Sequence, residues 1–137
     1  CFVFRWAEIM TKKFHKKCFA CGRESEFGLK LMFELKEDKS VCCKFKASHN
    51  YQGYDDILHG GIISTILDSA MVNLFYLKGG LELKTVRLNL RFLRPIPATK
   101  EISICAVEGI GIRHFYKAKA KIMIDNVIFA KAEGYFK

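Results

Sequence analysis

Leu58-His59-Gly60-Gly61-Ile62-Ile63-Ser64-Thr65-Ile66-Leu67-Asp68-Ser69-Ala70-Met71 is the stretch whose reading decides the fold. From Ile62 to Leu77 the apolar residues Ile62, Ile63, Ile66, Leu67, Ala70, Met71, Leu74 and Phe75 recur at helical spacing and cover most of the circumference. That is the pattern of a helix wrapped by other structure. Its mouth is a His-Gly-Gly turn. The first turn of a helix leaves backbone N–H groups unpaired. At Gly60 and Gly61 no Cβ keeps a ligand oxygen from those donors, which lie at the positive end of the helix dipole. The same physics builds an oxyanion or phosphate cradle. The plainer alternative is a tight loop-to-helix turn with no further role.

Asp68 is the one carboxylate in this apolar run. A carboxylate so placed carries a desolvation penalty unless it is used or paired. The bland alternative is a core polar residue satisfied by a neighbouring backbone, Ser or Thr group. Asp68 follows Gly61 by seven residues, so the two share a helix face but lie roughly 10 Å apart along the axis. A general base and an oxyanion donor must each come within about 3 Å of one reacting centre. One copy of the helix cannot do this, whereas two antiparallel copies in a symmetric dimer can.

Outside the helix the hydrophobic pattern switches to period two. Leu29 to Leu35, Val41 to Ala47, Glu82 to Leu93, Ile102 to Val107, Tyr116 to Ile124 and Val127 to Phe136 read as strands. Asp125-Asn126 marks a hairpin between the last two, and Gly109 with Gly111 marks the turn before them. The 137 residues, half of them apolar, suit one domain spanning 1–137, without repeat or linker. The expected class is α+β, an antiparallel sheet of about six strands wrapped around one central helix.

His59-Gly60-Gly61, Thr65, Asp68 and Ala70-Met71 together resemble the helix signature of the hotdog-fold acyl-CoA thioesterases of the phenylacetate-degradation (PaaI-like) type. Upstream, Cys18-Phe19-Ala20-Cys21-Gly22, Gly28-Leu29-Lys30-Leu31 and Tyr51-Gln52-Gly53-Tyr54 are similar to the lead-in of one subgroup. Downstream, the run from Thr85 to Arg94-Pro95 is similar to the family's long strand and its Arg-Pro corner. The resemblance covers about residues 18–136. It implies that the Gly60 amide, with Gly61 beside it, polarises a thioester carbonyl. Asp68 of the partner chain would act as nucleophile or as general base on water. His59 would hold the loop or orient the thioester, and Thr85 would position the water. Many relatives carry an Asn or Gln shortly before His-Gly-Gly as a second carbonyl donor; Asn50 and Gln52 are the candidates here. The implied substrate is an aromatic or medium to long acyl-CoA, with coenzyme A as part of the substrate and no other cofactor. The implied assembly is a homodimer or a dimer of dimers.

A net charge of +9 and a pI near 9.3 suit a polyanionic partner, and coenzyme A satisfies that as well as nucleic acid does. No RNP-type aromatic interleaving, helix-turn-helix or zinc-finger spacing supports nucleic acid. By charge and strand position, Arg87, Arg91, Arg94, Arg113 and Lys117 are candidates for the phosphates. The plainer reading of these faces is solvated surface. A module of the same fold that binds an acyl ligand without turnover remains the alternative.

Residues 1–17 read as a short basic amphipathic helix, expected to cap the sheet or to touch an anionic membrane surface; it is too short and charged to span one. His15, Cys18 and Cys21, with His49 nearby in sequence, have knuckle spacing for a metal, but a second Cys-x2-Cys pair is absent. No metal is therefore expected. The cysteines are not laid out as a disulfide framework: Cys42 and Cys43 point to opposite faces of a strand, and Cys105 reads as a small hydrophobe. The expectation is a reduced, cytoplasmic chain.

Overall fold

A computed structural model describes residues 15–137. Strands β1 (Glu34–Leu35) and β2 (Val41–Lys46) lead through a short 3-10 turn (His49–Tyr51) into the long helix α1 (Gly60–Gly79), and β3 (Thr85–Phe92), β4 (Glu101–Glu108), β5 (Tyr116–Ile124) and β6 (Val127–Phe136) follow. All six strands form one sheet in the order β1-β2-β4-β5-β6-β3, every pairing antiparallel. The expected α+β architecture is present. The strand expected over Leu29 to Leu35 is paired only at Glu34–Leu35, because residues 29 and 31 hydrogen-bond instead to the carbonyls of Phe19 and Ala20. The expected N-terminal helix over 1–17 lies outside the described residues except at its last three, which are irregular or turn.

Alternation decides which face of each strand meets α1. In β5, Ala118, Ala120, Ile122 and Ile124 are buried while Lys119 and Lys121 face outward; β4 buries Ile102, Ile104 and Ala106 in the same way. On the helix side, Ile66, Leu67, Ala70, Met71 and Leu74 have no exposed surface. Burying one such aliphatic side chain contributes about 1.5–3 kcal/mol. The helix is apolar and long enough to cross a membrane by composition, but the sheet wraps it and accounts for its apolarity.

Two turns set the register. Asp125 and Asn126 both have positive φ, 50° and 63°, as a two-residue hairpin of the I′ kind requires. The chain leaves α1 through a left-handed cap at Gly80, whose N–H reaches the carbonyls of Phe75 and Tyr76. Among the described residues β3 pairs only with β6, which leaves its other edge open.

Strand register also corrects the reading of the cysteines. Cys42 on β2 lies directly opposite Cys105 on β4, with Cα atoms 4.2 Å apart, and the two are joined as a disulfide. A sequence separation of 63 residues hides this pairing, which only the β2–β4 ladder creates. The fully reduced chain expected from the cysteine spacing is therefore not what the fold contains. Cys18, Cys21 and Cys43 are free thiols.

Candidate active site

His59 is the N-cap of α1. Its backbone is extended, and its Nδ1 accepts the Gly61 N–H at 2.9 Å. The imidazole packs closely enough that a Cβ on Gly61 would lie 3.0 Å from Nδ1, and one on Gly53 would lie 3.2 Å from Cδ2. Glycine at both positions is what lets the ring lie flat in the loop. The Gly61 amide is thereby used within the loop. Gly60, first in the helix, has no intrahelical acceptor for its N–H, so it is the donor that a ligand can reach. Two hydroxyls of the first turns are also consumed: Ser64 donates to the Gly60 carbonyl and Thr65 to that of Gly61.

A groove of about 750 Å³ opens at this helix mouth, lined by Tyr54, Ile57, Ile63, Phe92, Leu93 and Arg94 among others, with His59 and Gly60 in its wall. Its character is mainly apolar. An added Cβ on Gly60 would meet only the Phe92 ring, at 3.7 and 3.8 Å, so the space over the Gly60 amide is open. Tyr54 and Phe92 escape the sequence reading. Their signal is large, exposed aromatic surface, 85% and 55% respectively, bordering one groove.

Asp68 sits elsewhere, two turns along α1 and half-buried, outside the residues that line the groove. Thr85 Oγ1 donates to Asp68 Oδ1 at 2.6 Å. That bond fixes the carboxylate against the start of β3 and leaves Oδ2 for another partner. A single chain thus presents two separate features: a helix mouth with an open Gly60 amide beside Phe92 at one end of β3, and a carboxylate held by Thr85 at the other.

The remaining expected site residues do not gather in one place. Gln52 Oε1 accepts the Asp56 N–H, and Asn50 sits exposed on the 3-10 turn; neither is among the residues that line the groove. Of the expected phosphate ligands only Arg94 borders the groove, with Nη1 donating to the Ile128 carbonyl and the guanidinium 6.0 Å from the Phe129 ring centre. Arg87 and Arg91 alternate with Leu88 and Leu90 and so occupy the outer face of β3. Arg113 lies in the β4–β5 turn at φ 57°. Lys117 is held by Glu133 at 2.9 Å, a hydrogen-bonded ion pair that raises the lysine and lowers the carboxyl from their usual ranges. The side chains of His15, Cys18 and Cys21 do converge, whereas His49 turns away to Asp56 at 2.7 Å.

No protein-family model matches the chain. It is 27% identical over 127 residues to acyl-coenzyme A thioesterase THEM4 of Bos taurus, a match covering 86% of this chain and 49% of that protein. The chain therefore spans about half the length of the curated relative it matches. Among solved structures it superposes on a thioesterase superfamily protein with TM-score 0.80 at 22% identity, covering 88% of this chain and 62% of that one. A phenylacetic acid degradation-related protein from Ralstonia eutropha JMP134 gives TM-score 0.69 at 20% identity, over 79% and 84% of the two chains. The central helix, the sheet that wraps it and these superpositions agree: the chain has the hotdog fold, the fold shared by these solved structures.

Proposed function

We propose that the chain hydrolyses acyl-CoA thioesters at a site shared between two copies. The observation that carries this reading is the placement of the two half-sites at opposite ends of the open edge strand β3. If all eight residues of β3 pair antiparallel with a second copy about a two-fold axis, Thr85 falls opposite the partner's Phe92. Asp68 then approaches the helix mouth of the partner, and each half-site receives what it lacks. The name of the THEM4 relative supports the substrate class.

In this arrangement the thioester carbonyl oxygen lies at the Gly60 N–H, where the helix dipole favours developing negative charge. The partner's Asp68 takes a proton from water as the hydroxide adds to the carbonyl carbon, or attacks that carbon itself. Thr85, whose proton is committed to Asp68, still accepts a hydrogen bond from that water. In the first route collapse of the tetrahedral intermediate breaks the carbon–sulfur bond and the departing thiolate takes up the proton held by Asp68. In the second the collapse expels the thiolate and leaves an Asp68 mixed anhydride, which water hydrolyses to the free acid and the carboxylate, the released proton going to the thiolate. The apolar groove wall accommodates the acyl group, which suits an aromatic or medium to long chain, and Arg94 meets a phosphate of coenzyme A at its rim.

A panel of acyl-CoAs assayed by free-thiol release tests the reading. Turnover of at least one member is expected. Asp68→Ala should cut it by on the order of 100-fold or more while a non-hydrolysable acyl-CoA analogue still binds. Binding without turnover in the wild type, or wild-type turnover by Asp68→Ala, would show an acyl-ligand binder or a different base.

A further inference from the structure

The lead-in loop holds a feature that thioester hydrolysis does not use. His15, Cys18 and Cys21 each offer a ligand atom, and these atoms lie within 4.8 Å of one another. Cys21 Sγ is 3.9 Å from His15 Nδ1. A tetrahedral zinc ion with Zn–S near 2.3 Å and Zn–N near 2.0 Å needs ligand–ligand edges of roughly 3.5 to 3.8 Å. The side chains therefore stand within about an ångström of the required triangle.

The backbone is built to hold them there. The Cys18 N–H reaches the His15 carbonyl and the Gly22 N–H reaches the Cys18 carbonyl, both at 2.8 Å, closing a tight Cys-x2-Cys-Gly turn. A Cβ on Gly22 would sit 2.4 Å from the Cys18 nitrogen and 2.5 Å from the Lys16 carbonyl oxygen, so only glycine permits this turn. On α1 the buried Asn73 Nδ2 donates to the Ser69 carbonyl at 2.8 Å and to the Ser69 hydroxyl at 3.3 Å. Asn73 is 1% exposed and its Oδ1 has no hydrogen-bond partner among the described residues. Such an orphan acceptor calls for a donor.

We infer that His15, Cys18 and Cys21 form a site for a thiophilic divalent ion, zinc by ligand type, with solvent in the fourth position. Two sulfurs and one imidazole select a borderline-soft ion over calcium or magnesium. His15 is exposed and Cys18 half-buried, which leaves the fourth position open to water. The missing second Cys-x2-Cys pair, which argued against a metal in the sequence, is thus no obstacle: a histidine three residues before the first cysteine completes a three-ligand face. Binding displaces the thiol protons and fixes the lead-in loop around the ion. The site is independent of the proposed hydrolysis.

The test is cobalt and zinc titration of the full chain after chelator treatment, with Cys18 and Cys21 shown to be reduced by thiol counting. One cobalt per chain is expected, with a thiolate-to-cobalt charge-transfer band, tetrahedral visible bands and loss of both on adding zinc. His15→Ala and Cys18→Ser, both at positions with surface exposure, should each weaken zinc binding by at least about 10-fold. Cys43→Ser, which removes a free thiol on β2, should bind as the wild type does. Absence of the charge-transfer band in the reduced protein would overturn the site, as would unchanged binding by either His15→Ala or Cys18→Ser.

Discussion

At the scale of single residues, the fold decides which cysteine can react. Cys43 alternates to the buried face of β2, and burial pushes its thiol up to about 11 from 9.0. Cys42, its neighbour, faces outward and meets Cys105. Because the folded pKa of Cys43 lies above the unfolded one, its contribution to stability is complete below pH 9 and is lost as pH rises toward 11. The sum lost is roughly 2–3 kcal/mol. Thermal melts of the wild type should therefore fall more steeply between pH 9 and 11 than those of Cys43→Ala, and parallel curves would refute the assignment. The polar and charged site residues divide by a similar rule of partners. Asp68 was legible in the sequence because a lone carboxylate in an apolar helix must have a use or a partner. Its bond to Thr85, 17 residues on, depends on where β3 begins, and no local pattern reveals that. The Gln52 amide oxygen accepts the Asp56 N–H within its own loop, a bond that depends on the loop's path and that no local sequence pattern reveals.

Among the elements, α1 is the most legible, since its periodicity and its Gly-Gly entry agree, and the structure adds the left-handed exit at Gly80. Strand identities followed from alternation, and strand order did not, because pairing of β2 with β4 and of β3 with β6 is set by packing on the helix across long stretches of chain. Two expectations belong to this scale. At the helix mouth, Gly60→Val should fold, since an added Cβ meets only the Phe92 ring at ordinary contact distance. It should nevertheless reduce kcat by on the order of 100-fold, by covering the oxyanion donor. An unchanged kcat with intact circular dichroism would move that donor elsewhere. In the sheet, the Cys42–Cys105 bond closes a loop of 63 residues between β2 and β4. Its removal by Cys105→Ala should lower denaturant stability by about 2–4 kcal/mol, whereas an equal loss in the wild type under reductant would confirm the bond as the cause. No difference between oxidised and reduced wild type would show that the bond contributes nothing.

For the whole molecule, the open edge of β3 matters most. Edge strands are normally blunted, and β3 carries Arg87 and Arg91 on its outer face and a register shift between Thr85 and Arg87, but it pairs continuously from Arg87 to Phe92 and its ends expose Val86 and Phe92. A second copy of β3 would cover that edge and extend the sheet across a two-fold axis. The sequence anticipates the need for a partner through the roughly 10 Å axial gap between Gly61 and Asp68, which no Asp rotamer bridges. It cannot anticipate the means, because which strand ends at the edge is a property of the assembled sheet. The consequence can be measured by complementation. Asp68→Ala chains keep the helix mouth and Gly60→Val chains keep the carboxylate, so in each heterodimer one of the two sites inherits both intact parts. Mixing the two inactive proteins, with subunit exchange verified by mass-tagged chains, should restore activity to about a quarter of the wild-type value, as random pairing makes half the dimers mixed and half the sites within them whole. If the mixture stays as inactive as its parents after exchange, or if a stable monomer hydrolyses substrate at the full rate, then Asp68 and Gly60 do not meet across a shared edge and the chemistry must lie within one chain.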